Sequence, residues 1–184
     1  MRLSQGRDIR ILAALAWARA GDIQRARTVA SKLKREFPFD TTLNRYWLPV
    51  IEAAAQLRAG DAARALGVLE AARQYGLGQS SIFQIAAFGP MNPIYLRREA
   101  FLLNEQRGAA TTEFPKITEH PGLIQNFPLG ALAHLELARA YARQQGRARA
   151  IDAYRKFLTL WKDADPGSPI VSRAKTKLDR LMNN

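Results

Sequence analysis

Apolar residues recur at intervals of three or four positions along most of the chain, and short polar segments with glycine, proline or aspartate separate the apolar runs. This interval places the apolar side chains on one face of an α-helix, and the breaks between runs mark helix ends. The pattern therefore predicts an all-α protein. The predicted helices cover residues 8–20, 23–36, 43–59, 62–74, 94–106, 109–119, 129–144, 147–161 and 170–182.

A polar sequence motif of four residues occurs twice at the breaks between predicted helices. The segment Arg19–Asp22 reads Arg-Ala-Gly-Asp, and the same four residues return 39 positions later as Arg58–Asp61. In each copy an Arg-Ala pair follows three positions after the aspartate. The glycine suits a left-handed residue that ends one helix, and the aspartate can cap the next helix. A self-match at this period is typical of helical repeat proteins.

Alanine marks the same point of four successive units. These alanines are separated by 39, 45 and 40 residues and are Ala26, Ala65, Ala110 and Ala150. A small residue lets two helix axes approach to about 8–10 Å. The offsets match the tetratricopeptide pattern, in which antiparallel helix pairs stack into a superhelix. We expect a single domain over 1–184 with about four pairs, at 8–38, 43–74, 94–120 and 129–161, and a C-terminal capping helix over 169–182.

Three places interrupt the regular pattern. Pro49 and Pro115 fall inside predicted helices. A kink or a shortened helix is expected there, because proline lacks an N–H group and its ring crowds the preceding turn. Residues 75–93 form a long connection rich in glycine and proline. Such a connection is often functional or mobile, and its apolar residues can alternatively form a short helix packed on the core.

The chain is strongly basic, and the charge is uneven along it. The formal net charge is +12, from 28 lysines and arginines against 16 aspartates and glutamates. Both ends carry an excess of basic residues, whereas residues 61–120 are balanced. Such a field attracts nucleic acid, anionic lipid or acidic protein surfaces. The alternative is that arginine only solvates the outer faces of stacked helices.

Residues that carry enzymatic or metal chemistry are sparse. The absence of cysteine excludes a disulfide framework and thiolate metal sites. The two histidines, His120 and His134, have no carboxylate at metal-ligand spacing, so a structural role is expected for both. Asp163 and Asp165 resemble the start of a calcium loop, but the closing glutamate is absent. We therefore expect a non-enzymatic chain without cofactor or metal.

The apolar runs are too short to predict a membrane span. None approaches the length of about 18 residues that a membrane helix requires. Arg2, Arg7 and Arg10 precede the apolar stretch Ile11–Ala18, which loosely mimics a secretion signal. Asp8 interrupts that basic region and the apolar residues fit the repeat, so the pattern favours a first helix over a signal.

Five residues are candidates for a binding groove. In stacked helical repeats the concave face is the usual binding surface. The repeat register places Arg19, Arg58 and Arg143 at one late position of the first helix of a pair, and it places Tyr95 and Arg139 on the inner face. Guanidinium groups in a row could bind an acidic peptide or a C-terminal carboxylate. The alternative is that the three arginines only stabilise the carboxyl ends of their helices.

The residues also resemble a known family. The C-terminal tetratricopeptide region of bacterial, chiefly acidobacterial, eukaryotic-like serine/threonine protein kinases is similar in its motifs to most of the chain, except around residues 78–90. The similar segments are Phe37-Pro38 with Asp40, Tyr46–Pro49, His120–Gly122, Asn126–His134, Leu137–Tyr141 and Phe157–Pro166. The chain lacks the Gly-rich loop, the His-Arg-Asp motif and the Asp-Phe-Gly motif of a kinase. The resemblance thus implies a docking or sensory appendage of a kinase rather than phosphoryl transfer.

These observations favour a protein–protein interaction module that docks a protein or peptide segment, acidic if the arginines bind it. Two alternatives remain at this point: a nucleic-acid-binding repeat that uses the basic ends, and a scaffold that self-associates through Ile82–Phe88. The sequence does not fix the oligomeric state. A cytoplasmic location is favoured, unless a membrane-spanning kinase carries the repeats outside the cytoplasm.

Overall fold

The structure is a computed structural model, and it describes residues 6–77, 91–124, 128–165 and 167–183. Within these ranges the protein is all-α, as predicted, and contains no β-strand. The connection from 78 to 90, with the apolar segment Ile82–Phe88, lies outside the described residues.

The described ranges form ten α-helices, numbered here in chain order. They are α1 (Arg7–Ala20), α2 (Ile23–Glu36), α3 (Leu48–Arg58), α4 (Ala62–Leu69), α5 (Asn92–Leu103), α6 (Arg107–Thr118), α7 (Pro121–Ile124), α8 (Pro128–Arg143), α9 (Arg147–Leu160) and α10 (Pro169–Asn183). A π-helical turn, Leu43–Trp47, leads into α3, and a 3₁₀ segment, Glu70–Tyr75, extends α4.

The residues group into two compact units, which meet in the chain between Glu113 and Phe114. In the N-terminal unit, α1 pairs with α2 and α3 pairs with α4. Helix α3 packs against both helices of the first pair, and α5 packs against both helices of the second. In the C-terminal unit, α9 packs against both α8 and α10. A single domain over 1–184 stays a prediction.

Four turns between consecutive helices have the same backbone geometry in the described ranges: α1 to α2, α3 to α4, α5 to α6 and α8 to α9. The residue in the left-handed region is Gly21 (φ 101°), Gly60 (φ 83°), Glu105 (φ 57°) or Gln145 (φ 59°). The next N–H group then donates to the carbonyl oxygen five residues back. These bonds are Asp22 to Trp17 (2.9 Å), Asp61 to Gln56 (2.9 Å), Gln106 to Phe101 (2.8 Å) and Gly146 to Tyr141 (2.8 Å). The period read from the sequence is therefore also a period of the backbone.

The aspartate acts as the predicted helix cap in both copies of the Arg-Ala-Gly-Asp motif. The Asp22 Oδ1 atom accepts a hydrogen bond from the Arg25 N–H group at 3.2 Å. The Asp61 Oδ1 atom accepts from the Arg64 N–H group at 2.9 Å. Each bond satisfies one of the N–H groups that a helix start leaves without an intrahelical partner. The glycine of the motif thus ends one helix, and the aspartate directly after it starts the next.

We expect Gln145→Gly to stabilise the protein. A side chain in the left-handed region costs about 1 kcal/mol, and glycine removes that cost at Gln145 without disturbing a packed contact, since Gln145 is exposed. Urea denaturation should show a higher free energy of unfolding for the variant. The reverse change, Gly21→Ala, should lower it by a similar amount. Loss of stability in Gln145→Gly would contradict the proposed strain.

The arginine that precedes the repeat alanine packs on an aromatic ring in the first and the fourth unit. The Arg25 guanidinium lies over the Trp17 ring at 4.1 Å from the centroid, and the Arg149 guanidinium lies over the Tyr141 ring at 4.9 Å. A cation over an aromatic face contributes about 0.5–1 kcal/mol at exposed sites. The alanines that follow these arginines, and their two counterparts, are at most 1 % exposed: Ala26, Ala65, Ala110 and Ala150.

The two prolines are accommodated differently. Before Pro49, the Leu48 N–H group donates to the Leu43 carbonyl oxygen, five residues back, which widens the turn. A π turn at this point relieves the crowding that a proline ring causes in a regular helix. Pro115 lies inside α6, which continues for three more residues to Thr118.

Candidate functional site

A basic cleft lies in the C-terminal unit, on helices α8, α9 and α10. It has a volume of about 620 Å³, which is within the range of about 300–1,000 Å³ typical of ligand sites. It is lined by Leu135, Arg139, Ala142, Arg143, Tyr154, Ser172, Arg173, Ala174, Thr176, Lys177 and Arg180. Five of these eleven residues are cationic and none is acidic. The cleft therefore favours an anionic ligand.

The base of the basic cleft is apolar. Leu135 and Ala174 are buried, and Tyr154 of α9 is only 3 % exposed. Burial raises the pKa of Tyr154, so its hydroxyl stays neutral at physiological pH. The apolar base lowers the local dielectric constant and thus strengthens the pull of the surrounding cations on an anion.

The cations form two walls. Arg139 and Arg143 lie one turn apart on α8, and Arg173, Lys177 and Arg180 have the spacing i, i+4, i+7 on α10. Residues at these spacings share one face of a helix. On each helix the lining residues extend over nine residues, from Leu135 to Arg143 or from Ser172 to Arg180. The eight steps between the first and the last correspond to a wall of about 12 Å at 1.5 Å per residue.

Few carboxylates neutralise these cations. The Glu136 Oε1 atom accepts a hydrogen bond from Arg139, one turn away on the same helix. Within the described part of the chain, Arg143, Lys177 and Arg180 make no salt bridge. All three are exposed. Their charges are therefore available to a ligand.

The serine and threonine hydroxyl groups of the lining are already engaged as donors. The Ser172 hydroxyl donates to the Ser168 carbonyl oxygen at 3.2 Å, and the Thr176 hydroxyl donates to the Ser172 carbonyl oxygen at 3.1 Å. The Arg173 Nε atom also donates to its own helix, to the Pro169 carbonyl oxygen at 3.1 Å. Hydrogen bonds to a ligand must then come mainly from guanidinium NH₂ groups and from the Lys177 ammonium group.

The other predicted site residues lie in the N-terminal unit. The Arg19 guanidinium lies 5.3 Å from the centroid of the Tyr95 ring, and Arg19 Nη2 lies 3.3 Å from Glu99 Oε1. The exposed Arg58 side chain lies beside Gly21, at the turn after α1. Glu99 partly neutralises Arg19, and both arginines occupy the last turn of their helices.

The structure thus brings Arg19 together with Tyr95, and Arg139 together with Arg143. It also adds residues that sequence analysis assigned only to a capping helix: Arg173, Lys177 and Arg180. The sequence does indicate that these three cations share one face of their helix, because of their spacing. It does not indicate which other helix that face lies against.

The described residues contain neither a metal-ligand cluster nor a membrane-spanning helix. No three or more histidine, aspartate or glutamate side chains lie close enough together there to hold a metal ion. No helix in the described ranges combines the length and the apolar character needed to cross a membrane. Comparison with known proteins adds no relative, since no protein-family model, curated protein sequence or solved structure matches the chain.

Proposed function

We propose that this chain is a non-catalytic protein–protein interaction module of the tetratricopeptide type, which docks a segment of a partner protein. The observation that carries the proposal is a turn with a left-handed residue and a hydrogen bond five residues back, which recurs between α1 and α2, α3 and α4, α5 and α6, and α8 and α9. A unit repeated in this way cannot bury its apolar face alone, so its neighbours must stack on it.

The packing in the N-terminal unit supports a repeat array. The first helix of the second pair, α3, contacts both helices of the first pair, and α5 repeats this relation with α3 and α4. Buried alanines at the repeat positions allow such close helix contacts. Repeat arrays present extended binding surfaces, and exposed arginines lie near the ends of the first helices at Arg19, Arg58 and Arg143.

The partner is, in this proposal, a protein in a signalling pathway. The basis is the resemblance of the motifs to the repeat region of bacterial serine/threonine kinases, in which catalysis belongs to a separate domain. The chain would then select the proteins that are recruited to the kinase, and phosphoryl transfer would take place in the separate catalytic domain.

The triple variant Arg19→Glu, Arg58→Glu and Arg143→Glu should abolish partner binding and leave the helical content intact. All three residues are exposed, so charge reversal removes attraction to the partner without disturbing the core. The measurement is capture of proteins from nuclease-treated lysate of the source cells at moderate salt, with identification by mass spectrometry and circular dichroism of the variant.

The matched control is Lys32→Glu, Lys162→Glu and Lys175→Glu, because these exposed lysines give the same change in net charge. We expect the control to retain the partner. Equal retention by both triple variants would contradict the role of the three arginines. Capture of nucleic acid alone from untreated lysate at low salt would contradict the protein-docking function.

A further inference from the structure

We propose that the basic cleft binds a run of about five consecutive acidic residues in an extended conformation, with alternate side chains on its two walls. This inference rests on the proposed function and specifies which segment of a partner the C-terminal unit takes.

Both walls of the basic cleft carry positive charge. Arg139 and Arg143 form one wall, and Arg173, Lys177 and Arg180 form the other. Guanidinium groups present paired N–H donors that match the two oxygens of a carboxylate. A ligand with carboxylates on one side only would leave one of the two cationic walls without a partner. Acidic side chains must therefore project to both sides.

The spacing of the cations on each wall matches the spacing of side chains in an extended peptide. Residues four apart on a helix are separated by about 6 Å along its axis. In an extended chain, side chains on the same side recur about every 6.6 Å, and successive side chains point in opposite directions. Carboxylates at alternate positions can thus meet successive cations of one wall, and the residues between them meet the other wall. A run of five residues spans about 13 Å from first to last, which matches the length of the walls.

The same geometry disfavours two other occupants. An acidic helix would direct its i and i+4 carboxylates to one side only. Single-stranded nucleic acid is held by bases that stack on exposed aromatic rings. Among the described residues of the lining, Tyr154 is the only aromatic one, and it is 3 % exposed, so it offers no stacking surface.

Two peptides of equal length and charge test the alternation. One has nine residues with five consecutive glutamates between pairs of alanines, and the other has five glutamates that alternate with four alanines. Both have blocked termini and a fluorescent label for anisotropy. The consecutive peptide should bind about tenfold more tightly, since only it places carboxylates on both walls. Equal affinity would overturn the two-wall arrangement.

Single substitutions on α10 test the location. Lys177→Glu and Lys175→Glu change the charge equally on the same helix, but only Lys177 lines the basic cleft, and both residues are exposed. Lys177→Glu should weaken binding of the consecutive peptide about tenfold, and Lys175→Glu less than about twofold. Arg143→Glu tests the opposite wall and should resemble Lys177→Glu. Circular dichroism checks that each variant is folded.

The remaining outcomes separate this inference from the proposed function. Equal weakening by Lys175→Glu and Lys177→Glu would show that the peptide binds by nonspecific electrostatic attraction to the whole basic surface, and it would overturn the proposed site. Tighter binding of a ten-nucleotide oligothymidine than of the consecutive peptide would identify the basic cleft as a nucleic-acid site instead. If neither peptide binds but a lysate protein is captured, the inference fails and the docking function stands. If the peptide binds but no lysate protein is captured, the site stands and the docking function fails.

Discussion

Replacing Phe157 with alanine should lower the free energy of unfolding by about 3–5 kcal/mol, the usual cost of removing a buried phenylalanine side chain. Phe157 lies on α9 and is 0 % exposed. The centroid of its ring is 5.2 Å from the centroid of the Trp161 ring, in a tilted arrangement that stabilises the fold beyond the effect of burial. Truncation removes this ring from between closely packed helices, where the surrounding structure can only partly collapse into the cavity.

Urea denaturation followed by circular dichroism measures the effect of Phe157→Ala. The control is Phe39→Ala, the same chemical change at a residue that is 95 % exposed. The control should alter the free energy of unfolding by less than about 0.5 kcal/mol, because an exposed side chain loses little on truncation. Similar effects for the two variants would show that Phe157 is not a core residue.

The second large effect is expected from overfilling the helix crossing at Ala65. This residue is on α4 and is 0 % exposed. Ala65→Leu adds three carbon atoms at this fully buried position, so α4 must move away from the helices packed against it, α3 and α5. The expected loss of unfolding free energy is about 3 kcal/mol, at the upper end of the cost of overpacking a core.

Ala63 provides the matched control, since it is exposed and lies two residues earlier on the same helix. Ala63→Leu should change the free energy of unfolding by less than about 0.5 kcal/mol. The difference between the two leucine variants, from parallel denaturation curves, isolates the crossing from any general effect of leucine in α4. Equal stability would mean that Ala65 does not set the distance between the helices.

The sequence predicted the local features of the fold because those features depend on few neighbouring residues. Gly21 and Gly60 adopt the left-handed conformation, and Asp22 and Asp61 cap the next helices, since each interaction is completed within five residues. The third and fourth turns lack glycine at this position, yet Glu105 and Gln145 adopt the same conformation. The helices on either side of a turn therefore impose its geometry even on a residue that does not prefer it.

The composition of the basic cleft could be predicted only in part. The repeat register gave Arg139 and Arg143, because it fixes one face of α8. The orientation of α10 depends on which of its residues pack against α9, and the buried ones are Ala174 and Leu178. That packing turns the neighbouring cations toward the cleft. Contacts between distant parts of the chain leave no mark in a local pattern, so the sequence alone does not combine the two walls.

The hydrogen bonds that close each turn join residues that are close in sequence, and this has a consequence for how the chain folds. A pair such as α1 and α2 acquires its left-handed turn, its aspartate cap and the stacking of Arg25 on Trp17 from residues at most eight positions apart. Such local contacts cost little loop-closure entropy and favour rapid folding. Each helix pair can therefore begin to form while the ribosome is still adding the next one, and the growing chain offers each new pair a surface already in place.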